Sequence, residues 1–305
     1  MHRRYRLEGL AAVGGIACIH VGHTRRDNRR VALKVFHPPE GRERIFLDYM
    51  VHEANALKAA ASPAVVGLID HGLWLGYPTL VLEWLEGRSL GDLVAHGPLP
   101  MDRVDRLMWQ VVSAVETLHA NGVVHADLKP GNIMLCPRET GERVRLIDLG
   151  AAHVNGVGAA ARDEVFGTPG YVAPEVVGGA AVSPSTDVYA LGVLLFEMLT
   201  GQPPFIGNDL HSVLQQQTRG RLPRAGKLRP ARGDVSDALE AVVATALAPS
   251  PAQRFRDVRA LRIAFEDAIL VTARNHTFEV NSAPIDTVDE PTLRCRRPML
   301  ARTAN

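Results

Sequence analysis

The stretch His125-Ala126-Asp127-Leu128-Lys129-Pro130-Gly131-Asn132 decides how the rest of this 305-residue chain is read. It follows a segment, Met101 to Ala120, in which Val104, Met108, Val111, Val115 and Leu118 keep a helical period. Asn121-Gly122 supplies the stop. Phosphoryl transfer asks little covalent chemistry of a protein; it needs positioning and neutralised charge. Asp127 can accept the proton of an attacking hydroxyl, a contribution of about 10²–10⁴ in rate. Lys129 can reach the transferred phosphate. The Asn132 amide oxygen is a hard ligand of the kind Mg²⁺ prefers.

Downstream, Asp148 in LIDLG (146–150) follows an apolar strand and precedes a glycine, which suits a second metal contact beside Asn132. Upstream, RRVALKVF (29–36) is β-rich and carries Lys34 among apolar residues. From Ile45 to Ala60, Phe46, Met50 and Leu57 recur at helical spacing with Glu53 on the same side, placed to orient Lys34. Singly, Asp127, Asn132 and Asp148 would read as turn residues. Their joint spacing argues for a phosphate-handling site.

The remainder falls into two halves and a tail. Tyr5 to Val81 reads as short strands interrupted by one helix. After Leu90 the pattern is helical, and DVYALGVLLFEMLTG (187–201) is apolar nearly all round, as a helix at the centre of a large lobe would be. From Thr272 to Asn305 the period is lost and Pro284, Pro291 and Pro298 appear. The expected class is α+β, with a strand-rich lobe over 5–85, a helical lobe over 86–270 and a flexible tail over 271–305.

Composition sets limits on partners. At 46% hydrophobic and 22% charged residues the chain is globular, and a net charge of +1 offers no footprint for nucleic acid. Cys18, Cys136 and Cys295 lie far apart and odd in number, fitting neither a disulfide framework nor a zinc site. No run of eighteen apolar residues occurs. The stretch LEGLAAVGGIACIHVGH (7–23) is too broken by glycine and Glu8 to serve as a signal peptide. A cytoplasmic protein with no membrane or nucleic-acid partner is expected.

In order along the chain, VALK, HADLKPGN, DLG, GTPGYVAPE (167–175), TDVYALG (186–192) and PAQRF (251–255) resemble the eukaryotic-like serine/threonine protein kinases of bacteria, over roughly Tyr5 to Ala268. The resemblance implies a bilobal protein-kinase-like fold: a small antiparallel β-rich N-lobe with one helix, and a larger, mostly helical C-lobe. It implies transfer from ATP, with Mg²⁺ or alternatively Mn²⁺, to Ser/Thr hydroxyls of protein substrates. Lys34, Glu53, Asp127, Lys129 and Thr168 would take the catalytic roles. The nucleotide would meet Ala12, Val13, Gly14, Gly15, Ile19, Ala32, Lys34, Leu82, Glu83, Leu85, Ser89, Met134 and Asp148. Of these, Glu83 and Leu85 would offer hinge backbone, with Leu82 as gatekeeper. Glu175 and Arg254 would form a buried ion pair, Asp187 would hold the catalytic loop by its amides, and His125 would pack under Leu149. Family relatives often carry a membrane anchor and sensor; here a regulatory protein partner is expected to bring the signal.

Two departures stand out. Where the family has GxGxxGxV, this chain has Ala12, Gly14, Ala17 and Ile19; an alanine forced to positive φ costs about 1–2 kcal/mol, which would weaken ATP binding. Ala126 replaces the arginine that in the family receives an activation-loop phosphate, and the loop Ala151 to Phe166 holds no Ser, Thr or Tyr. Activity without phosphorylation of that loop is expected. The alternatives are a pseudokinase scaffold that binds nucleotide weakly, and a small-molecule kinase of the aminoglycoside phosphotransferase kind, which lacks GTPGYVAPE. The basic run Arg219 to Arg232 reads as a solvated loop.

Overall fold

Strand β3, Arg30–Phe36, shows how the small lobe is made. Side chains alternate across a strand, so Val31, Leu33 and Val35 join Tyr5, Trp74 and Val81 in a small apolar cluster on one face. Phe36 faces the main core on the other, and Lys34 shares that inner side. The computed structural model describes residue 1 and residues 3–156, 168, 170–207, 210–219 and 235–282. The strands β1 (Tyr5–Val13), β2 (Ala17–Thr24), β3, β4 (Leu68–Trp74) and β5 (Tyr77–Glu83) form one antiparallel sheet in the order β1-β2-β3-β5-β4.

Helix α1, Glu43–Ala59, packs on the inner face of that sheet through Phe46, Met50, Ala54, Ala56 and Leu57. An acid in its first turn and Lys58 in its last both suit the helix dipole. The linker after α1 is stitched to the other lobe: Val66 donates its amide to Leu146 O at 2.9 Å, Leu146 donates to Ala64 O at 2.7 Å, and Arg145 reaches Val65 O at 2.6 Å.

The large lobe centres on two helices. Helix α3, Met101–Ala120, buries the periodic residues read from the sequence, and Gly122 ends it at φ +71. Helix α5, Pro184–Thr200, is buried from Thr186 through Leu199, as its all-apolar pattern requires. A β-carbon on Gly192 would stand 2.7 Å from that of Ala246, so the glycine lets α7 (Asp237–Ala246) lie against it. Around them lie α2 (Leu90–Val94), α4 (Pro174–Val177), α6 (Leu210–Arg219) and α8 (Val258–Ser282). Two small sheets complete the structure, β6-β8-β9 (Arg88–Ser89, Ile133–Pro137, Glu142–Leu146) and β7-β10 (Val123–Val124, His153–Val154).

One expectation needs correcting. Helix α8 runs on to Ser282, past the point where the apolar period fails, so the chain is helical over 272–282. No glycine or proline interrupts that stretch before Pro284, and the Thr272 hydroxyl bonds to Ala268 O at 2.8 Å and meets Ser236 Oγ at 2.7 Å. The helix outlasts the amphipathic pattern of the sequence. Most of the activation loop (157–166), of the basic run (220–232) and of the tail (283–305) lies outside the described residues.

Candidate active site

Lys34 is delivered to the cleft by the alternation of β3, and its ammonium meets three oxygens. It lies 2.8 Å from both Glu53 oxygens and 2.8 Å from Asp148 Oδ1. Glu53 is 1% exposed, while the Asp148 side chain is 42% exposed toward the cleft. Burial works against the Lys34 charge, but Asp148 and then Glu53 outweigh it and hold the ammonium above the ordinary lysine range. Burial likewise opposes the Asp148 charge; the Lys34 ammonium overrides it and brings the carboxyl down to about 2.

The catalytic loop is fixed from below. Asp187 on α5 is fully buried and accepts the amides of His125 and Ala126, each at 2.9 Å, and His119 Nε2 at 2.8 Å. That grip holds Ala126 at φ +63, a conformation costing an alanine about 1–2 kcal/mol. Asp127 follows. Its Oδ2 accepts from Lys129 Nζ at 2.8 Å and Asn132 Nδ2 at 3.0 Å, whereas its buried Oδ1 has no partner among the described residues. Lys129 also donates to Thr168 Oγ1 at 2.8 Å. Ile147 donates its amide to Asn132 O at 3.0 Å, which sets Asp148 beside Asn132.

A cleft of about 510 Å³ joins these groups. Ala12, Val13, Gly14, Gly15, Ile19, Lys34, Asp127, Asn132 and Asp148 line it, together with Ile16, Ala17, Gly131, Gly150 and Ala151. Of the last group, Ala17 was noted in the sequence only as a departure from the glycine-rich loop, and none was expected to meet the nucleotide. Gly150 could have been: a β-carbon there would stand 3.1 Å from Asp148 Oδ1 and 3.3 Å from Glu53 Oε2. Ala12 and Ala17 sit in β1 and β2, paired with Ile19 and Phe36, and neither has positive φ. The expected left-handed strain at these alanines is therefore absent, because the hairpin turns through Gly14, Gly15 and Ile16 instead.

A protein kinase domain model matches residues 7–265. The chain belongs to the protein kinase family. Serine/threonine-protein kinase PknD of Mycobacterium tuberculosis is 32% identical over 274 residues, covering 89% of this chain and 40% of that protein. Serine/threonine-protein kinase pkn2 of Myxococcus xanthus is 35% identical over 217 residues, covering 70% and 26%. PksC of Streptomyces coelicolor is 31% identical over 268 residues, covering 85% and 48%. The chain spans less than half the length of those relatives.

The remaining predicted residues of the kinase domain lie beside the cleft rather than on its wall. Ala32 pairs with Leu82 across β3 and β5, and Met134 with Ser89 across β8 and β6. Leu82 is buried and Leu85 half-buried against the core. The Glu83 side chain accepts the Gly67 amide at 2.6 Å and an Arg145 guanidinium. The Ser89 hydroxyl donates to Asp92 at 2.8 Å and caps α2. Arg254 meets Glu175 through two bonds of 2.8 and 2.6 Å, and also bonds Ser185 O, Ala248 O and Pro249 O. His52, unremarked in the sequence, bonds the backbone of Ala152 at 2.7 Å. No helix among the described residues is long and apolar enough to cross a membrane.

Proposed function

We propose that this chain transfers the γ-phosphoryl group of ATP to serine and threonine hydroxyls of proteins, and needs no phosphate on its activation loop to do so. The observation that carries the reading is Asp127: one oxygen is held by Lys129 and Asn132, and the other is buried and unpartnered at the cleft. A buried acceptor left without a partner costs about 1–3 kcal/mol, and an incoming hydroxyl that donates to it removes that cost. The hydroxyl oxygen attacks the phosphorus as its proton passes to Asp127, and the bond to the bridging oxygen of ADP breaks.

The donor set fits the expected cation. Asn132 and Asp148 offer oxygens only, and Mg²⁺, or Mn²⁺ in its place, neutralises phosphate charge when bound there. Lys34 is the cation for the α- and β-phosphates, oriented by Glu53. Ile19 on the cleft wall, with Ala32, Leu82 and Met134 beside it, would offer apolar surface to the base, and Glu83 and Leu85 would offer backbone groups. The Lys129–Thr168 bond supports aliphatic hydroxyls as acceptors. Free thiols at Cys18 and Cys136 agree with a reducing, cytoplasmic setting, where a protein partner would bring regulation. The intact Lys34–Glu53–Asp148 cluster speaks against a pseudokinase.

The test is phosphate transfer from labelled ATP to an unstructured protein acceptor, with Asp127→Ala as control. Phosphoserine and phosphothreonine above the control are expected. Transfer no greater than that of Asp127→Ala overturns the reading, and a large loss after phosphatase treatment overturns its second half.

A further inference from the structure

We propose that His52 is a positioning residue: by hydrogen bonding to the activation segment it keeps Glu53, and with it Lys34 and Asp148, assembled without a loop phosphate. The inference rests on the reading that the domain works unphosphorylated, and supplies the device that reading lacks. Three absences pose the problem: Ala126 stands where a phosphate-receiving arginine would be, no acceptor hydroxyl occurs over 151–166, and a buried ion pair holds little net free energy. Something else must keep α1 turned inward.

His52 is next to Glu53 on α1, half-buried, with its Nε2 2.7 Å from Ala152 O. A carbonyl can only accept, so Nε2 carries the proton and donates. Ala152 is fully buried and its amide returns to Leu149 O at 3.1 Å, in the turn that carries Asp148. The contacts close a ring from Lys34 to Glu53, His52, Ala152, Leu149, Asp148 and back to Lys34. A β-carbon on Gly150 would crowd both acids, at 3.1 Å from Asp148 Oδ1 and 3.3 Å from Glu53 Oε2, so glycine lets the turn lie against Glu53. Beyond Ala152, β10 pairs with β7, and Asn155 donates its amide to Gly122 O at 2.8 Å. Strand β7 leads directly into His125 and Asp127. One hydrogen bond thus ties the helix bearing Glu53 to the strand pair that continues into the catalytic loop.

The tie is tested with His52→Leu, which keeps bulk without a donor, and His52→Gln, which keeps a donor of similar reach. Full-length protein whose mass shows no phosphate over 151–168 is used throughout. One net hydrogen bond biases a two-state equilibrium by roughly threefold to tenfold. His52→Leu is therefore expected to lower kcat by about that factor with the acceptor KM unchanged, while His52→Gln stays within about twofold of wild type. Amide exchange of residues 50–57 should quicken in His52→Leu, and exchange in α5 should not. The proposal falls if His52→Leu keeps both kcat and α1 exchange at wild-type values, or if His52→Gln falls as far as His52→Leu. Should wild type transfer no phosphate at all, the functional reading fails, and the exchange comparison alone still decides the role of His52.

Discussion

The catalytic loop and the glycine hairpin face the same cleft but are held in opposite ways. The loop is fixed by Asp187 through two amides and an imidazole, and by the Asp127–Lys129–Asn132–Thr168 network. The hairpin between β1 and β2 is held by backbone bonds from Gly14 to Ala17 and from His37 to Ile16 and by packing of Ile16 and Ala17 on the core, and Val13 is 73% exposed. Where charge must be aimed at one atom, the structure over-determines the side chain. Where backbone must meet a phosphate, it leaves the chain open. Tolerance to substitution should differ accordingly.

The largest effect should come from Asp127→Asn, which keeps the shape of the loop and removes the base: transfer to a protein acceptor falls by about 10²–10⁴ with the thermal midpoint nearly unchanged. A loss below tenfold would detach the loop from the chemistry. Next, Lys34→Met strands Glu53 in the core. Breaking a buried pair from one side costs about 3–5 kcal/mol, visible in urea unfolding, and adding Glu53→Gln should recover part of it. If the single variant is as stable as wild type, the cluster is not a coupled unit.

A smaller effect is expected from acid. Because the folded carboxyl of Asp148 lies at about 2, below its unfolded value, the stability it contributes is complete above pH ~4 and disappears as pH falls through about 2. Asp148→Asn should flatten the acid limb of stability over that window. Asparagine tolerates the φ of +61 found there, so backbone strain does not confuse the result. The smallest effect should be that of Ala12→Gly with Ala17→Gly. Left-handed strain of about 1–2 kcal/mol at each of the two sites would make the double variant bind ATP roughly 30–900-fold more tightly. Extended alanines predict a change under about threefold, measured as ATP affinity.

The same contrast governs what could be read from the sequence. Lys34, Glu53, Asp127, Asn132 and Asp148 were legible because each pairs a residue type with a spacing that its chemistry demands. The helices α1, α3 and α5 were legible because their burial repeats along the chain. His52 was not: one histidine on a helix carries no pattern, and its partner is a carbonyl that any residue would provide. The glycine hairpin misled because loss of glycine suggests strain only if the missing positions need positive φ, and which positions turn depends on the pairing of β1 with β2. The end of α8 misled because helix persistence follows from the absence of breakers as much as from amphipathic period.

The stitching of residues 64–66 to Arg145 and Leu146 has a mechanical consequence. The rear of α1 is thereby fastened to the large lobe, so a tilt of the helix would pivot behind Ala60. At 1.5 Å per residue Glu53 lies about 10 Å from that pivot, and a tilt of roughly 10° carries it about 2 Å. That is enough to part a 2.8 Å contact with Lys34, so a regulator that rocks α1 by about 10° would disconnect the cluster without touching the cleft.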